Sequence, residues 1–166
     1  MATIQQGAAA ALWQAAVREA ETRSATPLGE TQESYLVFVL LRHQNDPELL
    51  ARVQALEWLR AQECTGRTRA DALRDVGDRC LLIAGLYPAL AQRRRVSVDY
   101  FTTLGRGAYR DVAEACRNAY ADLFAQLAAH YDALVQVLRG LRDGPLPMAL
   151  PAAGAAISLP SHGRLH

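Results

Sequence analysis

The residues able to do chemistry crowd into one stretch of this chain, Gly77 to Tyr109. Asp78 and Tyr109 stand at its ends and are the nearest thing to an acid–base pair. Between them lie Arg93-Arg94-Arg95, Tyr100 and Arg106. Guanidinium forks of this kind hold a phosphate or a carboxylate. Ser97, placed to cap the helix that follows, would add backbone donors for the same anion. Asp99, Asp111 and Glu114 neutralise part of that charge, and arginines of an exposed loop are more often simply solvated.

The other reactive side chains form no recognised constellation. His43, His130, His162 and His166 make neither HExxH nor paired Glu-x-x-His, so no metal is expected. His43 ends a helical run and is expected to meet its terminal carbonyls. GxSxG and the phosphate loop are absent, and with no lysine anywhere, Schiff-base chemistry is excluded. Cys64, Cys80 and Cys116 are odd in number and widely spaced, which fits neither a disulfide framework nor a structural zinc. They point to a reducing cytoplasm. No cofactor and no catalytic residue is assigned.

The elements that must position these residues read as helices. Gly77, Gly85, Gly105 and Gly107 fall inside helical rows, each costing about 1 kcal/mol relative to alanine. Alanine is abundant, at 31 of 166 residues, so these positions call for missing side chains. Close helix packing is the plain explanation. The functional one is a pocket between the fourth and fifth helices, lined by Asp78, Gly85, Tyr87, Arg95, Tyr100, Phe101, Gly105, Arg106 and Tyr109. Its ligand would be small, partly apolar and anionic.

Along the chain, a first helix runs from Thr3 to about Arg23, with Ile4, Ala8, Leu12, Ala15 and Ala16 on its inner side. The apolar run Tyr35 to Leu41 has no second strand to pair with and reads as a buried helix. Asp46-Pro47-Glu48 carries the signals of a helix start, predicting a third helix to about Glu63 with Leu49, Val53, Leu56 and Leu59 or Trp58 inward. The fourth buries Leu73, Val76, Cys80, Ile83 and Tyr87, with Asp75 and Arg79 an ordinary surface ion pair. Pro88 breaks it, and the piece to Arg95 reads as a turn or a single loose helical turn. Val98, Phe101, Gly105, Ala108, Val112 and Ala115 face inward on the fifth, and Tyr120 to Leu141 make a sixth. The spacing leaves open whether those two are continuous.

The architecture predicted is all-α, a compact bundle of five or six helices over 1–142, then an irregular tail rich in proline and glycine over 143–166 that docks through Leu146, Met148 and Leu150. The net charge of +1 gives no general attraction to nucleic acid or anionic membrane. The longest apolar run, Cys80 to Ala91, is 12 residues, against about 20 for a membrane span. The N-terminus lacks the pattern of a signal peptide. Arginine without lysine, beside so much alanine, suggests a GC-rich bacterial coding sequence.

Gly77-Asp78, Leu81-Leu82, Gly85-Leu86, Pro88, Arg94-Arg95, Val96-Ser97, Tyr100-Phe101, Gly105 and Ala108-Tyr109 together resemble a segment of uncharacterised bacterial all-helical proteins. That resemblance implies a helical fold and carries no activity. The leading expectation is a non-catalytic, soluble cytoplasmic protein acting through self-association or a protein partner. The anionic-ligand pocket is the alternative, and an enzyme using Asp78 and Tyr109 the third.

Overall fold

The computed structural model describes residues 2–151. Among them every regular element is a helix and there is no strand. In order it forms α1 (Ala2–Ser24), α2 (Glu30–His43), α3 (Gln54–Glu63), α4 (Gly66–Leu86), α5 (Pro88–Arg93), α6 (Val98–Ala115), α7 (Asn118–Ala129) and α8 (Tyr131–Arg142). The predicted five or six helices become eight through breaks at Pro88, Asn118 and His130. Of the two readings after Pro88 the helical one holds: the proline starts the short α5, where its missing N–H is no loss. The last stretch divides at Asn118, whose φ of 61° is a left-handed conformation asparagine tolerates better than most residues. His130 divides it again, between α7 and α8.

α4 runs through the middle of the molecule. From Val76 to Leu86 every residue but Arg79 is buried, so this segment is surrounded on all sides rather than amphipathic. α6 and α8 pack along it, α3 covers its first half, and α1 and α2 complete the core. Ser97 caps α6 as expected, its hydroxyl accepting from the Tyr100 N–H at 3.2 Å. Arg23, in the last turn of α1, donates to the Gly140 carbonyl and so ties α1 to the end of α8.

Two inward faces differ from expectation, and on α6 the expected inward Ala115 is exposed because it ends the helix beyond the packed row. α1 buries Ala9, Trp13, Ala16, Val17 and Ala20 and leaves Leu12 exposed. Its register is set by Trp13, whose indole N–H donates to Gln44 Oε1 at 2.9 Å. The helix expected from Asp46 begins only at Gln54; residues 47–52 form turns. Asp46 caps one of them, accepting from the Glu48 N–H at 3.0 Å. Arg94 from the α5 end donates to the Leu50 and Arg52 carbonyls, oxygens that a continuous helix would have used itself. Leu49 and Leu50 are buried there, and of the pair Leu59 or Trp58 it is Trp58 that packs on the core, whereas Val53, Leu56 and Leu59 face solvent.

Segment 143–151 follows α8 as turns and extended chain. Met148 and Leu150 pack on the core, Leu146 does not, and the Tyr87 hydroxyl donates to the Pro151 carbonyl at 2.7 Å. The rest of the expected tail, 152–166 with His162 and His166, lies outside the described residues.

Candidate functional site

Asp78 is fully buried on α4. A carboxyl there survives only with donors around it, and the fold supplies them from two other helices. Tyr109 on α6 donates to Asp78 Oδ1 at 2.6 Å, and Tyr35 on α2 to the same oxygen at 2.7 Å. Tyr131, the first residue of α8, donates to the Gly77 carbonyl at 3.0 Å. The rings pack edge to face: Tyr109 stands 6.1 Å from Tyr35, 5.4 Å from Phe124 and 5.4 Å from Tyr131, the separations aromatic pairs favour.

Three of the four glycines singled out by sequence are seats for this cluster and its neighbours. A β-carbon on Gly77 would overlap the Tyr109 ring, one on Gly105 the Tyr131 hydroxyl, and one on Gly85 the Leu138 side chain. Gly107 is different, with open space at that position. What comes near the bare backbone is therefore the protein's own side chains, two of them tyrosines.

The second oxygen of Asp78 faces α2. Arg42 Nη1 lies 3.7 Å from Asp78 Oδ2 and 2.7 Å from Asp75 Oδ1. No group among the described residues donates a hydrogen bond to Asp78 Oδ2. Burial raises the Asp78 carboxyl above its ordinary range, against the pull of Tyr109, Tyr35, His43 and Arg74. Burial, reinforced by the Asp78 charge, pushes the Tyr109 hydroxyl far up, and burial does the same to Tyr131. These phenols remain protonated donors.

Next to this cluster, His43 is buried instead of meeting helix-end carbonyls, with Nδ1 2.9 Å from Asp46 Oδ2. Burial opposes the Asp46 charge, but His43, the Glu48 N–H and Arg79 together hold its carboxyl below the usual range. Arg79 reaches Asp46 at 3.6 Å, and Asp75 takes Arg42, so the expected Asp75–Arg79 surface pair does not form.

The nine residues expected around one pocket fall in separate places. Asp78 and Tyr109 meet, and Phe101 and Gly105 lie buried on the same face of α6. Gly85 is filled by Leu138, and Tyr87 sits at the far end of α4 against Pro151. Arg106 pairs with Asp132 at 2.6 Å. Arg95 and Tyr100 are exposed at the start of α6. Of the arginine triplet, Arg94 braces the loop before α3.

Tyr35, Tyr131 and Arg42 were not singled out by sequence. Tyr35 carried a usable signal: a hydroxyl opening an apolar helical run needs a buried partner, and Asp78 was the buried acceptor in want of donors. Chemically the arrangement is a polar clamp that fastens α2, α4 and α6 together, closed to solvent at its acid. No helix among the described residues is long and apolar enough to cross a membrane. No family model matches the chain, and neither the curated proteins nor the solved structures contain one detectably similar to it.

Proposed function

We propose that this chain is a non-catalytic helical protein that works by binding protein, through its surface, in a reducing cytoplasm. The observation that carries this reading is the division between inside and outside. The acid and the phenols are engaged in holding helices together and the buried histidine bonds Asp46 in the loop after its own helix, while large apolar side chains are left in water. Val53, Leu56 and Leu59 recur every three residues at the start and along α3, each about half exposed. Phe38 and Tyr120 do the same on α2 and α7. Apolar patches of this kind mark interaction surfaces when they are contiguous. Cys64, Cys80 and Cys116, all free thiols, support the reducing compartment.

The test is photocrosslinking in cells expressing the chain, with benzophenone side chains placed at position 38 or position 56. A discrete adduct, to a second copy or to another protein, is the expected result. A chain that yields no adduct from either position would remove the interaction reading.

A further inference from the structure

The surface carries a strip whose two ends differ in charge. On α2, Glu30, Ser34 and Phe38 recur every four residues and share one side of the helix. With Thr31, Tyr35 and Leu123 of α7 they line an open groove of about 440 Å³. One turn back along α7, Tyr120 borders a second depression of about 530 Å³, on whose wall stand Arg67, Asp71 and Arg74 of α4.

The two depressions adjoin. Phe38 packs on Tyr35, Tyr35 on Phe124, and Phe124 on Tyr120, with centroids 5.8, 5.5 and 4.9 Å apart. Arg42, one turn beyond Phe38, pairs with Asp75, which also receives Arg74 at 3.7 Å. The order along the surface is therefore Glu30, then Leu123 and Phe38, then Tyr120, then Arg74 and Arg67.

Its middle is apolar and open, with Phe38 45% and Tyr120 40% exposed. α7, which borders it, carries one charged side chain, Asp122, over its length. Glu30 makes no ion pair among the described residues. Arg67 makes a long ion pair with Asp71 at 4.0 Å, and its side chain is 96% exposed.

A strip that is acidic at one end, apolar in the middle and basic by excess at the other, where Arg42, Arg67 and Arg74 outnumber Asp71 and Asp75, complements itself when turned end for end. We propose that two copies of the chain pair along it, antiparallel about a twofold axis. Glu30 of each copy then faces Arg67 of the other, and Phe38 of each seats against the α2–α7 groove of its twin. Each end supplies the charge the other lacks, so no second kind of surface is needed, and twofold pairing is the commonest way for a chain to bind itself. This deepens the protein-binding reading and rests on it, naming the face and the partner.

The experiment is sedimentation velocity on the full chain from micromolar to hundreds of micromolar, with circular dichroism to confirm that each variant folds. The wild type is expected to reach twice the mass of one chain. Glu30→Arg and Arg67→Glu are each expected to weaken pairing about tenfold or more, because every pair formed contains the reversed contact twice. Mixed in equal amounts, the two reversed proteins are expected to pair again, since both cross-contacts are then complementary. Phe38→Asp is expected to give a monomer, and Leu56→Glu with Leu59→Glu to leave pairing intact. A wild type that stays monomeric overturns the proposal. So does a dimer that the single reversals leave untouched, or reversed proteins that do not rescue one another. Pairing lost only in the Leu56/Leu59 variant would move the interface to α3 and keep the protein-binding reading; that reading fails separately, by the absence of any crosslink.

Discussion

The Tyr109 hydroxyl reaches Asp78 Oδ1 at 2.6 Å across the α4–α6 contact, while its ring occupies the space that Gly77 leaves by having no side chain. One residue thus supplies both the donor for the buried acid and the filling for the bare backbone beside it. The two features are neighbours in sequence because they serve a single tyrosine.

Gly77→Ala must therefore displace the Tyr109 ring. Overpacking of this kind costs about 1–3 kcal/mol, in excess of the propensity gained on leaving glycine. Gly107→Ala, in open space on α6, is expected to stabilise by up to ~1 kcal/mol. Urea melts of the two variants check this. Equal effects at both positions would contradict the assignment of Gly77 as a seat.

Tyr109→Phe and Tyr35→Phe keep their rings and remove one donor each from Asp78. Each is expected to destabilise by about 1.5–3 kcal/mol, the range for hydrogen bonds to a charged group. Because the two hydroxyls share one oxygen, the double variant should depart from additivity by at least ~0.5 kcal/mol. A double-mutant cycle in urea reads this coupling, and strict additivity would argue against a shared acceptor.

Burial holds the Asp78 carboxyl above its usual range, and this sets the sign of its pH effect. The folded state then binds more protons than the unfolded state between about pH 3.9 and the raised value. Its contribution to stability falls as pH rises through that window. Asp78→Asn keeps an oxygen for the two phenols and carries no charge. Relative to the wild type it should gain stability as pH rises, then level off above the window. A difference between the two proteins that is flat across this range, or declines, would contradict a raised carboxyl.

Arg94→Ala removes the donor for the Leu50 and Arg52 carbonyls. Amide exchange over 47–53 should quicken, with little change in α4. Arg94→Lys should fail to restore protection fully, since an ammonium lacks the planar fork that serves two carbonyls at once. Unchanged exchange in Arg94→Ala would mean the loop is held by Leu49 and Leu50 alone.

The helical rows on α6 and α8 were legible in sequence because burial there largely follows the 3.6-residue period, and Ser97 because a cap acts within three residues; on α4 the row was part of a segment buried on every side. Tyr35–Leu41 read correctly as helix for want of a partner strand. Asp46-Pro47-Glu48 misled because local start signals were outweighed by Arg94, 42 residues further on at its nearest carbonyl. On α1 the apolar residues fit more than one face, and a single long-range bond from Trp13 chose between them. At the site, Asp78 and Tyr109 were legible as a pair of types but not as a contact. Whether a glycine seats a ligand or a tyrosine depends on α8, whose approach to α4 and α6 no local pattern encodes.

The most direct test of the closed core is the cycle of Gly105→Ala with Tyr131→Phe, followed by urea unfolding. The added methyl group meets the Tyr131 hydroxyl first, so removing that hydroxyl relieves part of the clash. The expected result is a double variant less destabilised than the sum of the single ones by about 1 kcal/mol or more. Additive losses would contradict the claim that the glycines of α4 and α6 are seats for the protein's own side chains.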